Sequence, residues 1–180
     1  MILDSNQDGI PVLAVVGYSG SGKTTLVVKL VEALTQRGYR IGTIKHAHAF
    51  SVEREGKDTW RHRKAGADVS IASTQGEVVI VRKVSPNIQP EEIVRSYVTG
   101  VDLVLVEGYK RSKIPKIEVH RHEVGEELFC QGNESLIAVA SDTELSVEVP
   151  RFHLDDDQGI ADFIEQKFLN SKSRASGQNV

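Results

Sequence analysis

Val12-Leu13-Ala14-Val15-Val16-Gly17-Tyr18-Ser19-Gly20-Ser21-Gly22-Lys23-Thr24-Thr25 is the stretch that decides the fold. Val12 to Val16 is a short apolar, β-branched run of the kind that forms a buried parallel strand. Gly17 to Thr24 then matches Gly, four residues, Gly-Lys-Thr, the phosphate-binding Walker A loop, and Leu26, Leu30 and Leu34 follow at helical spacing. Strand, glycine loop and helix succeed one another as that chemistry requires. The glycines Gly17, Gly20 and Gly22 let backbone N–H groups turn inward around a phosphate, and the new helix points its positive end at the same oxygens. Lys23 is expected to reach the β- and γ-phosphates and the Thr24 hydroxyl to ligate the bridging magnesium, with Tyr18, Ser19, Ser21 and Thr25 completing the nucleotide contact. A glycine-rich turn that merely begins a helix is the plain alternative, and it is the weaker one with strand and helix both in place.

Around this loop, 180 residues with 39% hydrophobic and 26% charged side chains are enough for a sizeable α/β core. We expect a P-loop NTPase-like domain over 11–169, a mostly parallel sheet flanked by helices, with a flexible extension over 1–10 and a disordered tail over 170–180. No apolar run approaches membrane-spanning length and Met1 to Ile10 lacks a basic-then-apolar leader, which points to the cytoplasm. One cysteine, Cys130, forms no intrachain disulfide and reads as a small packing residue. The net charge of −3 gives no global reason to expect nucleic acid.

Along the chain, the first helix is expected to run to Gln36 and stop at Arg37-Gly38. Tyr39 to Lys45 reads as a second strand, completing a right-handed β-α-β unit. His46 and His48 could form a metal pair on a strand but lack an obvious third ligand, so a polar loop near the phosphates is the better reading. Lys57 to Ala65 suits a helix closing at Gly66, with Lys57, Arg61 and Lys64 on one face. That face is either solvated or turned to an anion beside the active site, with Asp58 placed to contact magnesium or its waters. Asp68 to Ser73 and Glu77 to Lys83 suggest a hairpin, and Pro90 opens another helix with Glu91 and Glu92 at its positive end.

Val101 to Gly108 is the second place where chemistry concentrates. An apolar strand ending in Glu107 supplies the carboxylate that a phosphate loop needs on a neighbouring strand, to hold magnesium or orient a water. Asp102, at the start of the same strand, is far from the loop in a parallel sheet and reads as a cap. Lys110, Arg111, Lys113 and Lys116 form a basic loop without interleaved aromatics, suited to a phosphate-rich small ligand or an acidic partner rather than to nucleic acid. Ile117 to His120 and Leu136 to Ala140 read as further strands, with Glu123 to Glu134 a polar connector between them. Asp142 follows the later strand, where an acid can accept hydrogen bonds from a guanine base; a turn cap is its plain alternative. Asp155, Asp156 and Asp157 begin a last helix whose Ile160, Phe163, Ile164 and Phe168 should dock on the sheet.

Gly42-Thr43-Ile44-Lys45-His46, Gly56-Lys57-Asp58-Thr59, Ala65-Gly66-Ala67, Val106-Glu107-Gly108-Tyr109-Lys110 and Ala140-Ser141-Asp142 follow the phosphate loop in an order that closely resembles the molybdopterin-guanine dinucleotide biosynthesis adaptor family, from about residue 11 to 169. The resemblance implies a GTP-binding protein with magnesium as cofactor, weakly hydrolytic at best and typically a homodimer. It also implies assistance to the guanylyltransferase that joins GMP to molybdopterin, and so contact with that enzyme and with molybdopterin itself. By matching positions it carries over Gly17 to Thr25, Asp58 and Glu107 as nucleotide and magnesium residues. Two other classes share the loop: a small-molecule or nucleoside kinase, for which Arg61 and Arg63 could close over an acceptor, and a scaffold whose nucleotide is structural.

Overall fold

The computed structural model describes residues 9–47, 55–125 and 127–170. Contacts divide the chain into two compact units, Met1–His46 with Gln89–Val180 and, inserted between them, Ala47–Ile88. The sequence reading, by contrast, places one domain over 11–169.

The larger unit is built on six parallel strands. β1 (Val12–Val16), β5 (Leu103–Glu107), β6 (Lys116–His120) and β7 (Leu136–Ser141) fill the middle, with β2 (Ile41–Lys45) and β8 (Arg151–His153) at the edges, in the order β2-β5-β1-β6-β7-β8. Every residue of β1 is buried, as a strand covered on both faces must be. On one face Leu13, Val15, Leu105, Ile117 and Ala140 meet Leu26, Leu30 and Leu34 of α1 (Lys23–Gln36) and Ile160 and Ile164 of α4 (Asp157–Ile164). The Asp156 carboxylate caps α4 by accepting from Gly159 N at 3.0 Å, and a π-helical turn, Glu165–Leu169, extends it so that Phe168 joins the same cluster. On the other face Val12, Val16, Val104 and Val139 pack with Val94 of α3 (Pro90–Tyr97), Ile114 and Cys130. Ile10, placed by sequence in the flexible extension, is buried there too. Cys130 is the packing residue expected, and burial pushes its thiol up to about 11.

The β-α-β reading is modified in one respect: β5 lies between β1 and β2 and pairs in parallel with both. Asp102 does more than cap. Its Oδ2 accepts from Arg40 N at 2.8 Å and its Oδ1 pairs with the Arg40 guanidinium at 3.1 Å, which ties the starts of β2 and β5 together.

In the smaller unit, α2 (Asp58–Lys64) leads into the expected antiparallel hairpin, β3 (Val69–Ser73) and β4 (Val78–Arg82), with Ile71 opposite Ile80. Its strands leave Val69, Ile71, Val78 and Ile80 exposed. Among the described residues no helix is long and apolar enough to cross a membrane.

Candidate functional site

Parallel strands bring their carboxyl ends to one edge of the sheet, and the loop after β1 opens there. Gly17 has φ 139° and lies so close to β6 that a Cβ would collide with the Val119 carbonyl oxygen; no residue but glycine fits. Gly22, at φ 100°, is the N-cap of α1 and turns the chain into the helix without a side-chain cap, leaving the first N–H groups of α1 directed into the loop. The Lys23 Nζ donates to Tyr18 O at 2.6 Å, folding the side chain over the loop, and partial burial holds its pKa below the ordinary lysine value, with Glu107 opposing and Lys45 and Lys110 adding to the effect.

Thr24 and Glu107 meet across the junction of α1 and β5. The Thr24 hydroxyl donates to Glu107 Oε1 at 2.9 Å. Two ligands that are cis in an octahedron of radius about 2.1 Å stand about 3 Å apart, so this hard-oxygen pair has the spacing that magnesium needs. Among the described residues no cluster of three His, Cys, Asp or Glu side chains could hold a metal by itself, so a cation here would take its remaining ligands from phosphate and water.

Lys45 is the member that the sequence reading passes over. It is the last residue of β2 and the register partner of Glu107. Its Nζ donates to Glu107 Oε1 at 2.7 Å and to Thr24 Oγ1 at 3.3 Å. Beyond Glu107 the chain turns sharply through Gly108 and Tyr109, both at positive φ, and the Tyr109 ring lies 4.3 Å from that of His46, whose backbone N–H donates to Glu107 O at 2.9 Å. His46 thus joins the strand-end structure, while His48 falls outside the described residues.

Of the remaining candidates, Asp142 directly follows β7, with Oδ1 accepting from His122 N at 2.9 Å and Oδ2 3.7 Å from Arg121; that backbone N–H, more than Arg121, holds its carboxyl below the usual range. It anchors the turn after β6 as a cap does. Lys110, Arg111 and Lys113 are exposed, and the Lys110 ammonium lies 4.0 Å above the Phe129 ring, which in turn packs edge-on against Tyr18. Lys116 is a correction. It is fully buried in β6, not part of a basic surface; its Nζ donates to Ser112 O at 2.6 Å and Lys110 O at 3.4 Å, and burial depresses its pKa. Lys57, Asp58, Arg61 and Lys64 are exposed in the smaller unit, at or near the N-terminus and along α2.

The family model for Molybdopterin guanine dinucleotide synthesis protein B matches residues 12–142. The chain is 38% identical over 167 residues to the molybdopterin-guanine dinucleotide biosynthesis adapter protein of Haemophilus influenzae, covering 92% of each. It is 39% identical over 163 residues to the Escherichia coli protein of the same name, covering 86% of this chain and 91% of that one. A crystal structure of molybdopterin-guanine biosynthesis protein B superposes with a TM-score of 0.69 at 26% identity, over 86% of this chain and 97% of the other.

Proposed function

Because the chain belongs to the molybdopterin-guanine dinucleotide biosynthesis adapter family, a P-loop family of molybdenum cofactor biosynthesis, we propose that it binds GTP with magnesium at Gly17–Thr25 and acts beside the guanylyltransferase that attaches GMP to molybdopterin. The observation that carries this reading is the Thr24–Glu107 contact of 2.9 Å at the mouth of the glycine loop. Backbone N–H groups and Lys23 hold the phosphates; Thr24 and Glu107 hold the cation, which when bound neutralises the phosphate oxygens and links them to the protein. Asp142 is proposed as the acceptor that reads guanine.

Weak hydrolysis follows from the same atoms. Glu107 is the carboxylate able to orient a water, yet a carboxylate taken up with Thr24 in holding the cation is not free to act as a general base toward that water. The adapter role thus fits better than a kinase. Exposed Lys110, Arg111 and Lys113 are the proposed surface for the phosphate of the pterin or an acidic partner face, with Lys57, Arg61 and Lys64 as a second such surface. Two copies are proposed to pair, in support of which stands the hairpin's apolar face, Ile71 at 59% and Val78 at 62% exposure.

The test is mass spectrometry of nucleotide co-purified with the protein, GTP/ATP competition, and addition of the protein to a guanylyltransferase assay with molybdopterin. Guanine nucleotide, preference for GTP and faster dinucleotide formation are expected; binding of neither nucleotide would overturn the reading. Sedimentation equilibrium of the same preparation checks the pairing.

A further inference from the structure

We propose that Lys45 is a built-in counter-ion of the metal site: its ammonium holds the Thr24–Glu107 oxygen pair until a divalent cation displaces it. The inference rests on the nucleotide reading above and adds to it a residue with a defined task.

Three distances carry it. Thr24 Oγ1 and Glu107 Oε1 are 2.9 Å apart, and one ammonium lies 2.7 Å from the second and 3.3 Å from the first. A cation in hydrogen-bonding contact with both oxygens of a magnesium-spaced pair competes with the metal for the same electron pairs and repels it besides. The placement follows from the fold. Lys45 is on edge strand β2 and in register with Glu107 on β5, so the same ladder that ends β5 at the phosphate loop delivers the lysine there.

Exposure makes the contact reversible. The Glu107 side chain is only 13% exposed, while that of Lys45 is 57% exposed. The carboxylate is therefore fixed and the ammonium is free to swing into solvent. Lys45 also lines a groove of about 450 Å³ with Val27, Val31, Thr43 and Glu32, which gives the released side chain apolar surface for its stem and a carboxylate on the same wall. Before the metal arrives, Lys45 keeps Glu107 from facing the phosphates as an uncompensated negative charge. After it arrives, the lysine is surplus.

Two affinities should therefore move in opposite directions when Lys45 is made neutral. Mn²⁺ serves as the probe, its free fraction read by electron paramagnetic resonance in the presence of a non-hydrolysable GTP analogue. Lys45→Met should bind Mn²⁺ more tightly than wild type, by up to about fivefold, the upper range for one exposed ion pair. With the metal chelated, the same variant should bind the analogue more weakly than wild type. Lys45→Arg, which keeps the charge, should restore wild-type metal affinity, and in a Glu107→Gln background Lys45→Met should change Mn²⁺ affinity little. Unchanged or weaker Mn²⁺ binding by Lys45→Met, in a protein whose circular dichroism and thermal unfolding match those of wild type, would overturn the assignment. Failure of the wild type to bind the analogue at all would overturn the nucleotide reading and this inference with it.

Discussion

Two charged clusters lie on opposite sides of β1 in the sheet. Glu107 and Lys45 end β5 and β2 at the open edge of the sheet, and their partners are side chains: each other and the Thr24 hydroxyl. Lys116, Glu118 and His120 alternate along β6 and are buried, and the first two bond chiefly to backbone: Lys116 to the carbonyls of Lys110 and Ser112, and Glu118 to the N–H groups of Phe129 and Cys130 at 2.6 and 2.8 Å, with the Cys130 thiol as a further partner. His120 Nδ1 lies 3.1 Å from Ser141 Oγ on β7. The difference separates a site from a scaffold. Charges satisfied by movable side chains near solvent can be exchanged for a ligand, whereas charges satisfied by main chain pin loops that the core needs.

The largest effect should come from breaking the scaffold cluster. Glu118→Ala strands two buried N–H groups and opens a cavity, and we expect a loss of about 3–5 kcal/mol, or failure to fold, in chemical denaturation. A loss below about 1 kcal/mol would show that the segment after β6 is not held by this carboxylate. Breaking the site cluster should do the reverse. Lys23→Ala removes a half-buried ammonium that donates to the Tyr18 carbonyl, so stability should hold while triphosphate affinity, measured by calorimetry, falls by about 2–4 kcal/mol. Equal affinity for triphosphate would end the assignment of the loop.

The smallest effect sharpens the comparison through pH. Burial raises the Cys130 thiol to about 11, so the folded protein keeps a proton that the unfolded chain releases near its ordinary value. This contribution is fully present below the unfolded pKa and is lost as pH rises through the folded one. Between about pH 9 and 11, wild type should therefore lose about 1–2 kcal/mol more stability than Cys130→Ala, for which the thiol's slope is absent. Parallel slopes for the two proteins would mean that the thiol titrates as freely in the fold as out of it.

Much of the site was legible because its signals are local. Gly17 to Thr24 specify a turn, a cation and a hydroxyl within eight positions, and Glu107 ends an apolar run of strand length. Lys45 was not legible, since its meeting with Glu107 depends on β5 entering between β1 and β2, a pairing that chain order does not disclose. Lys116 was misread for a different reason. Four cations in seven residues look like a solvated loop, and what buries one of them is a set of backbone carbonyls, which every sequence possesses and none advertises. The fold class needed only periodicity and the loop. The division into two units needed the contacts themselves.

The insertion of β5 between β1 and β2 also sets an order of events during synthesis. Among the described residues β1 pairs only with β5 and β6, and β2 only with β5. A nascent chain that has not yet delivered Leu103–Glu107 therefore possesses its first two strands, its glycine loop and its first long helix, but not one rung of the parallel sheet. The hairpin β3–β4, whose partners are separated by a tight turn, is by then complete. The strand made first waits longest for a neighbour, and the segment that brings that neighbour ends in the carboxylate facing the glycine loop.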